Sequence, residues 1–135
     1  MRHQSLKRQH EERIASKSFA SWRSEQWHCL ICHRRGDMAK RTLETHHIRG
    51  RESVKRHVED NLAALCPRCH SQLHFGGKLD RNGERIPNLH PGHVLWAKLE
   101  SEPETSLEVL DSIRKSKYEA TELPEFYLKE RERNQ

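Results

Sequence analysis

Four cysteines in two Cys-x-x-Cys pairs, Cys29/Cys32 and Cys66/Cys69, with 33 residues between the pairs, constrain this chain more than any other feature of its sequence. Two such pairs can surround one Zn²⁺ tetrahedrally and leave no coordination position open, which is how structural zinc sites are built. The fold must then bring residues 29 and 69 together. The same cysteines can instead make two disulfides, but Met1 to Ser21 holds no apolar run of the kind a secretory leader needs, which favours a reducing compartment and a metal. A rival ligand set pairs Cys66/Cys69 with His90/His93, whose spacing also suits zinc.

A staple of this kind is needed. The 135 residues suit one domain of ordinary size or a compact module with arms, yet only 33% are hydrophobic and another 33% are charged. So small an apolar share builds a small core, and metal is the usual remedy. No stretch approaches the ~18 apolar residues of a membrane span, so the expected setting is soluble and cytoplasmic. The net charge of +5 is uneven: residues 1–56 hold 14 Lys and Arg against 6 Asp and Glu, a net of +8, whereas residues 91–135 hold 7 against 10, a net of −3. A cationic N-terminal half suits a polyanion, because each neutralised phosphate releases condensed counterions. The plainer reading is that these side chains solubilise a helix surface.

A second cluster lies inside the same stretch. His46-His47 falls between the cysteine pairs, and Cys69 runs into His70-x-x-x-His74. Three imidazoles fill only part of a metal's coordination sphere, so water and a substrate oxygen can take the rest, as hydrolysis requires. Periodicity places these residues. Ser5 to Trp27 lacks Pro and Gly and carries Leu6, His10, Ile14, Ser18 and Trp22 at helical spacing, which predicts a basic N-terminal helix. Thr42–Ile48 and Leu62–Leu65 read as the strands of a hairpin, and Pro67 suits the first turn of a helix with His70 and His74 on one face. Phe75–Asn88 reads as loop or short hairpin. Val94–Glu100 reads as a helix, Thr105-x-x-Glu108 as a capping box opening a helix to about Tyr118, and Pro124 as the start of a last helix. The expected organisation is a basic arm over 1–27, a core over 28–78 and a helical extension over 79–135, in which the sequence suggests no chemistry. Trp22, Trp27 and Trp96 read as packing residues, with base stacking the lesser alternative.

His46-His47-Ile48, Asn61-Leu62 and Leu65-Cys66-Pro67-Arg68-Cys69-His70 with His74 resemble the HNH endonuclease family, in order and spacing, over roughly Cys29 to His74. The resemblance implies an α+β, ββα-metal (His-Me finger) nuclease core with a structural four-cysteine zinc site, here flanked by N- and C-terminal helices. It implies His47 as general base, Asn61 as the central asparagine, and His46, His70 and His74 as ligands of one catalytic divalent ion. Many members have aspartate where this chain has His46, whereas colicin nuclease domains are similar in having histidine there. Imidazoles suit Mn²⁺, Ni²⁺ or Zn²⁺ better than the oxygen-seeking Mg²⁺. Arg49, Arg51 and Arg68 flank the site as candidate phosphate contacts, although exposed arginine is common without one. The expected activity is metal-dependent hydrolysis of DNA phosphodiester bonds, by nicking or double-strand cleavage, leaving 5′-phosphate and 3′-hydroxyl ends. Members similar to this chain occur in phages, mobile elements and restriction systems, so a bacterial or phage-infected cell is the implied setting. DNA is the expected partner, and the acidic C-terminal helices offer a surface for a protein. The alternative is a zinc-stapled DNA-binding module without catalysis.

Overall fold

A computed structural model describes residue 6 and residues 17–50, 57–113 and 118–135. Strand β1 (Glu44–His47) pairs antiparallel with β2 (Leu62–Leu65) in the register Glu44↔Leu65, Thr45↔Ala64, His46↔Ala63 and His47↔Leu62. The second strand falls where expected. The first is shorter than Thr42–Ile48 because Thr42 and Leu43 are drawn into a turn on the Asp37 carbonyl, to which both N–H groups donate at 3.2 Å. All four residues of β2 are buried, and its two alanines leave room for close packing on both faces.

Cys66 follows β2 and caps helix α1 (Pro67–Phe75), with Pro67 in the first turn, where its missing N–H costs nothing. Hairpin and helix together make the expected α+β, ββα unit. Gly76 closes α1 where the chain folds back tightly: a Cβ there would lie 2.3 Å from the Gln72 carbonyl oxygen and 2.8 Å from that of Pro87. Of loop and hairpin, residues 77–86 adopt the hairpin, with Gly77 N–H donating to Ile86 O (2.9 Å) and Ile86 N–H to Lys78 O (2.8 Å).

Helix α2 (Pro91–Ser101) starts three residues before the expected Val94. Its cap is built from histidines: His90 Nδ1 accepts the Gly92 N–H (2.9 Å) and His93 Nδ1 accepts the His90 N–H (2.8 Å). The capping box expected at Thr105 and Glu108 is replaced. Helix α3 (Leu107–Ile113) is capped by Ser106, whose Oγ accepts the Val109 N–H (3.2 Å), while Thr105 Oγ1 donates to Glu102 O (2.7 Å). Tyr118, the expected end of this helix, is not helical, and residues 114–117 lie outside the described residues. Helix α4 (Glu125–Arg133) begins after Pro124, as expected.

Of the expected N-terminal helix, residue 6 and residues 17–24 are helical, residues 25–27 have already left the helix, and residues 5 and 7–16 lie outside the described residues. Trp22 enters the core and Trp96 packs against it, but Trp27 is 59% exposed, so packing describes two of the three tryptophans. The core runs from Trp22 through the four cysteines and β2 to Val94, Leu110 and Tyr127. No helix among the described residues is long and apolar enough to cross a membrane.

Candidate functional site

The cysteine centre is assembled from two backbone turns. Cys29 N–H donates to Arg34 O (2.9 Å) and Cys29 O accepts from His33 N–H (3.0 Å), with His33 at φ 63 turning the chain back. Leu30 N–H donates to Ala64 O (2.8 Å), fastening this first knuckle to β2. The second knuckle is the start of α1, where Cys66 Sγ accepts the Cys69 N–H (3.4 Å). The sulfur atoms of Cys29, Cys32, Cys66 and Cys69 all lie within 4.8 Å of one another and are buried, and Cys32 and Cys66 stand 3.8 Å apart. Sulfurs ~2.3 Å from a tetrahedral zinc are separated by about 3.8 Å, so the set fits that ion. His90 and His93 are engaged in the cap of α2 and are no part of this group, which removes the rival ligand set.

The sulfurs perturb one another strongly. Contact with Cys29 lowers the Cys32 thiol to about 6 and holds Cys66 below the ordinary thiol range; contact with Cys32 pushes Cys29 up, and contact with Cys29 does the same to Cys69. Four such groups cannot all ionise side by side in a dry core. A divalent cation removes the conflict by holding every one as thiolate.

The C-terminal helix braces this centre, a role the sequence did not suggest. Arg131 Nε donates to Ile31 O (2.7 Å) and Nη2 to Leu30 O (3.0 Å), while Nη1 reaches Glu100 (2.7 Å). Asn134 Nδ2 donates to Cys32 O (3.0 Å). Every carbonyl from Leu30 to Cys32 is thus held by a side chain a hundred residues away. On the other knuckle, Tyr127 OH donates to Gln72 Oε1 (2.8 Å), and Arg68 forms a two-pronged pair with Glu130. Burial pushes the Tyr127 hydroxyl above its usual range, and Glu130 does the same for the Arg68 guanidinium.

The imidazole centre lies on the outer side of the same hairpin and helix. His46 faces α1, its ring centroid 5.5 Å from His70 and 6.4 Å from His74. His70 and His74, one helical turn apart, bring their Nε2 atoms to 3.1 Å, and one nitrogen from each of the three residues lies within 4.8 Å of the others. Nitrogens ~2.1 Å from one ion stand about 3.0–3.4 Å apart, so this set also fits a metal. His46 and His70 are half-buried and His74 is exposed, which leaves the cluster open on one side. Glu44, two residues before His46 and therefore on the same face of β1, places Oε1 3.1 Å from His70 Nδ1. A carboxylate there accepts a hydrogen bond from Nδ1–H and directs the Nε2 lone pair toward an ion.

His47 is the last residue of β1 and is not one of the triad's three members. Its Nε2 is 3.1 Å from Nδ1 of His57, whose ring stacks on Phe19 with centroids 4.3 Å apart. Fully buried Asn61 fixes the turn that follows: its Oδ1 accepts the Arg49 N–H (2.7 Å), its Nδ2 donates to Gly50 O (3.2 Å), and its backbone oxygen accepts the Ile48 N–H (2.8 Å). Gly50, at φ 89, supplies the left-handed conformation this turn needs. Strand β1 thus carries His46 into the triad and ends at His47.

Arg49 is 2% exposed, pairs with Asp111 (3.3 Å) and lies over the Tyr118 ring. Arg68 is engaged by Glu130. Arg49 uses only Nη2 on its carboxylate, Arg68 uses both Nη atoms, and Arg51 lies outside the described residues. Reading the sequence alone also missed Glu44, His57 and Arg131. The i, i−2 alternation of a strand was a usable signal for Glu44; the other two act across distances that leave no local pattern.

Residues 29–76 match the family model described as HNH endonuclease. No curated protein and no solved structure matches the chain.

Proposed function

We propose that the chain, whose residues 29–76 match the HNH endonuclease family model, is a metal-dependent endonuclease that hydrolyses DNA phosphodiester bonds with His47 as general base. The observation that carries this reading is the open triad His46, His70 and His74 beside a fourth imidazole, His47, on the next residue of one strand. A divalent ion held by the triad supplies Lewis-acid stabilisation of charge building on the phosphate and the departing 3′ oxygen. Everything else falls to the chain. His47 takes a proton from the attacking water, a task suited to an imidazole near neutral pH. Asn61 positions His47 by locking residues 48–50, and Glu44 orients His70. The four-cysteine centre, with zinc its proposed ion, holds the start of α1 and so the helix that carries two of the three imidazoles.

The proposed organisation is a nuclease core over 28–78, a basic arm over 1–27 that approaches DNA electrostatically, and an extension over 79–135 that clamps the zinc knuckles from behind. The inner side of α4 is occupied by those knuckles, so a protein partner has only the outer side to dock on.

A supercoiled-plasmid nicking assay tests the reading, on protein with the weaker site stripped and Mg²⁺, Mn²⁺, Ni²⁺ or Zn²⁺ restored separately. Wild type is expected to nick and His47→Ala to lose at least ~10²-fold of the rate with zinc content unchanged. Full-rate cutting by His47→Ala would reject the mechanism. No cutting by wild type with any of the four ions, alongside salt-sensitive DNA binding, would identify a zinc-stapled binding module instead.

A further inference from the structure

We infer that His57 is the positioning residue of His47, accepting the proton-bearing Nε2–H of that imidazole so that Nδ1 is the basic atom. This rests on the nuclease reading above. The contact is 3.1 Å between His47 Nε2 and His57 Nδ1. A hydrogen bond between two neutral imidazoles needs an N–H on one side and a lone pair on the other, so it selects one of two tautomer pairs. If His57 donated, His47 would carry its own proton on Nδ1 and have no lone pair left for water. If His57 accepts, His47 Nδ1 is unprotonated. Only the second arrangement makes a base.

The position of His57 is itself fixed. Its ring is stacked on Phe19 at 4.3 Å and 18°, Phe19 is stacked on Trp22 at 6.4 Å and 10°, and Trp22 is buried in the core. Phe19 also borders the His47 ring, with centroids 6.4 Å apart. A column of rings therefore runs from the core to the base, and two of its members, Phe19 and Trp22, belong to helical residues 17–24. The backbone of His47 is set from the other side by Asn61. Side chain and backbone are thus held by different elements, which is what a base needs to stay within hydrogen-bond reach of one water.

The proton balance closes. Water gives one proton to His47 Nδ1; its oxygen forms the new P–O bond as the bond from phosphorus to the 3′ oxygen breaks, and the 3′ oxygen leaves with a proton from solvent. The imidazolium keeps its Nε2–H on His57 Nδ1, now a charge-assisted hydrogen bond and stronger than before. His57 therefore acts more on the transition state than on substrate binding.

Two substitutions separate the hydrogen bond from the ring. His57→Phe keeps an aromatic ring against Phe19 and removes the acceptor; His57→Asn keeps an acceptor near the Nδ1 position and removes the ring. In the full chain with zinc bound, His57→Phe is expected to lower the single-turnover nicking rate by roughly tenfold or more, within the 10²–10⁴ that loss of a general base costs. DNA affinity should hold, and His57→Asn should recover most of the rate. Independently of activity, ring ¹⁵N shifts of wild type at pH 7.5 should place the His47 proton on Nε2. In His57→Phe they should show a tautomer mixture. Wild-type cutting by His57→Phe, His57→Asn as slow as His57→Phe, or a His47 proton found on Nδ1 would each overturn the inference. If both variants lose zinc or unfold, the wild-type ¹⁵N shifts still decide it. Failure of wild type itself to nick with every ion would bring down the nuclease reading, an outcome distinct from a normal rate in His57→Phe.

Discussion

Arg131→Ala isolates the brace on the cysteine centre. In the folded chain the Arg131 side chain is 9% exposed and its guanidinium holds the carbonyl oxygens of Ile31 and Leu30. Truncation leaves both without that donor, and a buried acceptor left unsatisfied costs ~1–3 kcal/mol. The Glu100 pair adds less than about 1 kcal/mol, because Glu100 is 43% exposed and water screens it. Loss of contact with the Trp96 ring adds a further ~0.5–1 kcal/mol. With some relief from entering water, the expected loss is about 3 kcal/mol. For a chain of this length each kcal/mol moves the melting temperature by about 4 °C, so Tm should fall by about 12 °C. Thermal unfolding followed by circular dichroism, at one fixed free-zinc concentration, reads this directly, because any ion bound only by the folded state also raises Tm. Arg131→Lys should fall between, since a single ammonium cannot reproduce the planar fork that serves two carbonyls and a carboxylate. A Tm within about 2 °C of wild type for Arg131→Ala, at equal zinc content, would refute the idea that α4 braces the knuckle.

Asn61→Ala leaves the buried Arg49 N–H and the Gly50 carbonyl without their side-chain partner and should cost ~2–4 kcal/mol in urea unfolding, with nicking lost even where the protein stays folded. Asn61→Asp keeps only the acceptor and should be intermediate; an alanine variant as stable as wild type would contradict this role. Glu44→Ala removes the carboxylate on His70 Nδ1 and should weaken Mn²⁺ or Ni²⁺ binding roughly 10–100-fold by calorimetry, leaving the four-cysteine zinc in place. Unchanged affinity would show that Glu44 orients nothing. Burial, and next the neighbouring His90, hold His93 below its ordinary range. Its contribution to stability is therefore fully present above the unfolded value of ~6.5 and is lost as pH falls through the lower folded value, when protonated Nδ1 can no longer accept the His90 N–H. Comparing wild type with His93→Asn from pH 8 to 5, the stability difference should shrink on the acid side, and a pH-independent difference would count against it.

What was legible in the sequence is what short-range spacing encodes. Two Cys-x-x-Cys pairs and an i, i+4 histidine pair fix ligand geometry within a few residues of chain, so both clusters were readable before any fold was. The second strand and the start of α1 were readable for the same reason, since Pro67 and the apolar run before it act locally. The cap of α2 was misjudged because histidine is an unusual capping residue: His90 and His93 look like metal ligands, and only their hydrogen bonds show the imidazoles satisfying backbone N–H groups. At α3 two hydroxyl residues stand side by side, and Thr105 is drawn to the Glu102 carbonyl, leaving Ser106 to cap. Nothing in the spacing of Arg131 or Asn134 announces that their targets lie at residues 30–32. Such contacts depend on packing α4 against a turn a hundred residues earlier, and periodicity carries no information about that.

The two centres are coupled through α1 and β2 in a way that neither ligand set alone requires. A nine-residue helix is marginal in isolation, so α1 exists through what holds it. Its first turn is held by Cys66 on Cys69 and by Glu130 on Arg68, and its middle by Tyr127 on Gln72. Successive helical residues are rotated by about 100°, which lets Cys69 face the core while His70 faces out beside it. Strand β2, which leads directly into Cys66, carries β1 as its partner and so sets the height of His46 against His70. A metal in the closed site contributes folding free energy, because the unfolded chain has no preformed set of four sulfurs. Under the function proposed above, the open site would leave coordination positions for water and phosphate, and the cysteine cluster one residue before His70 would supply part of the order that its geometry needs.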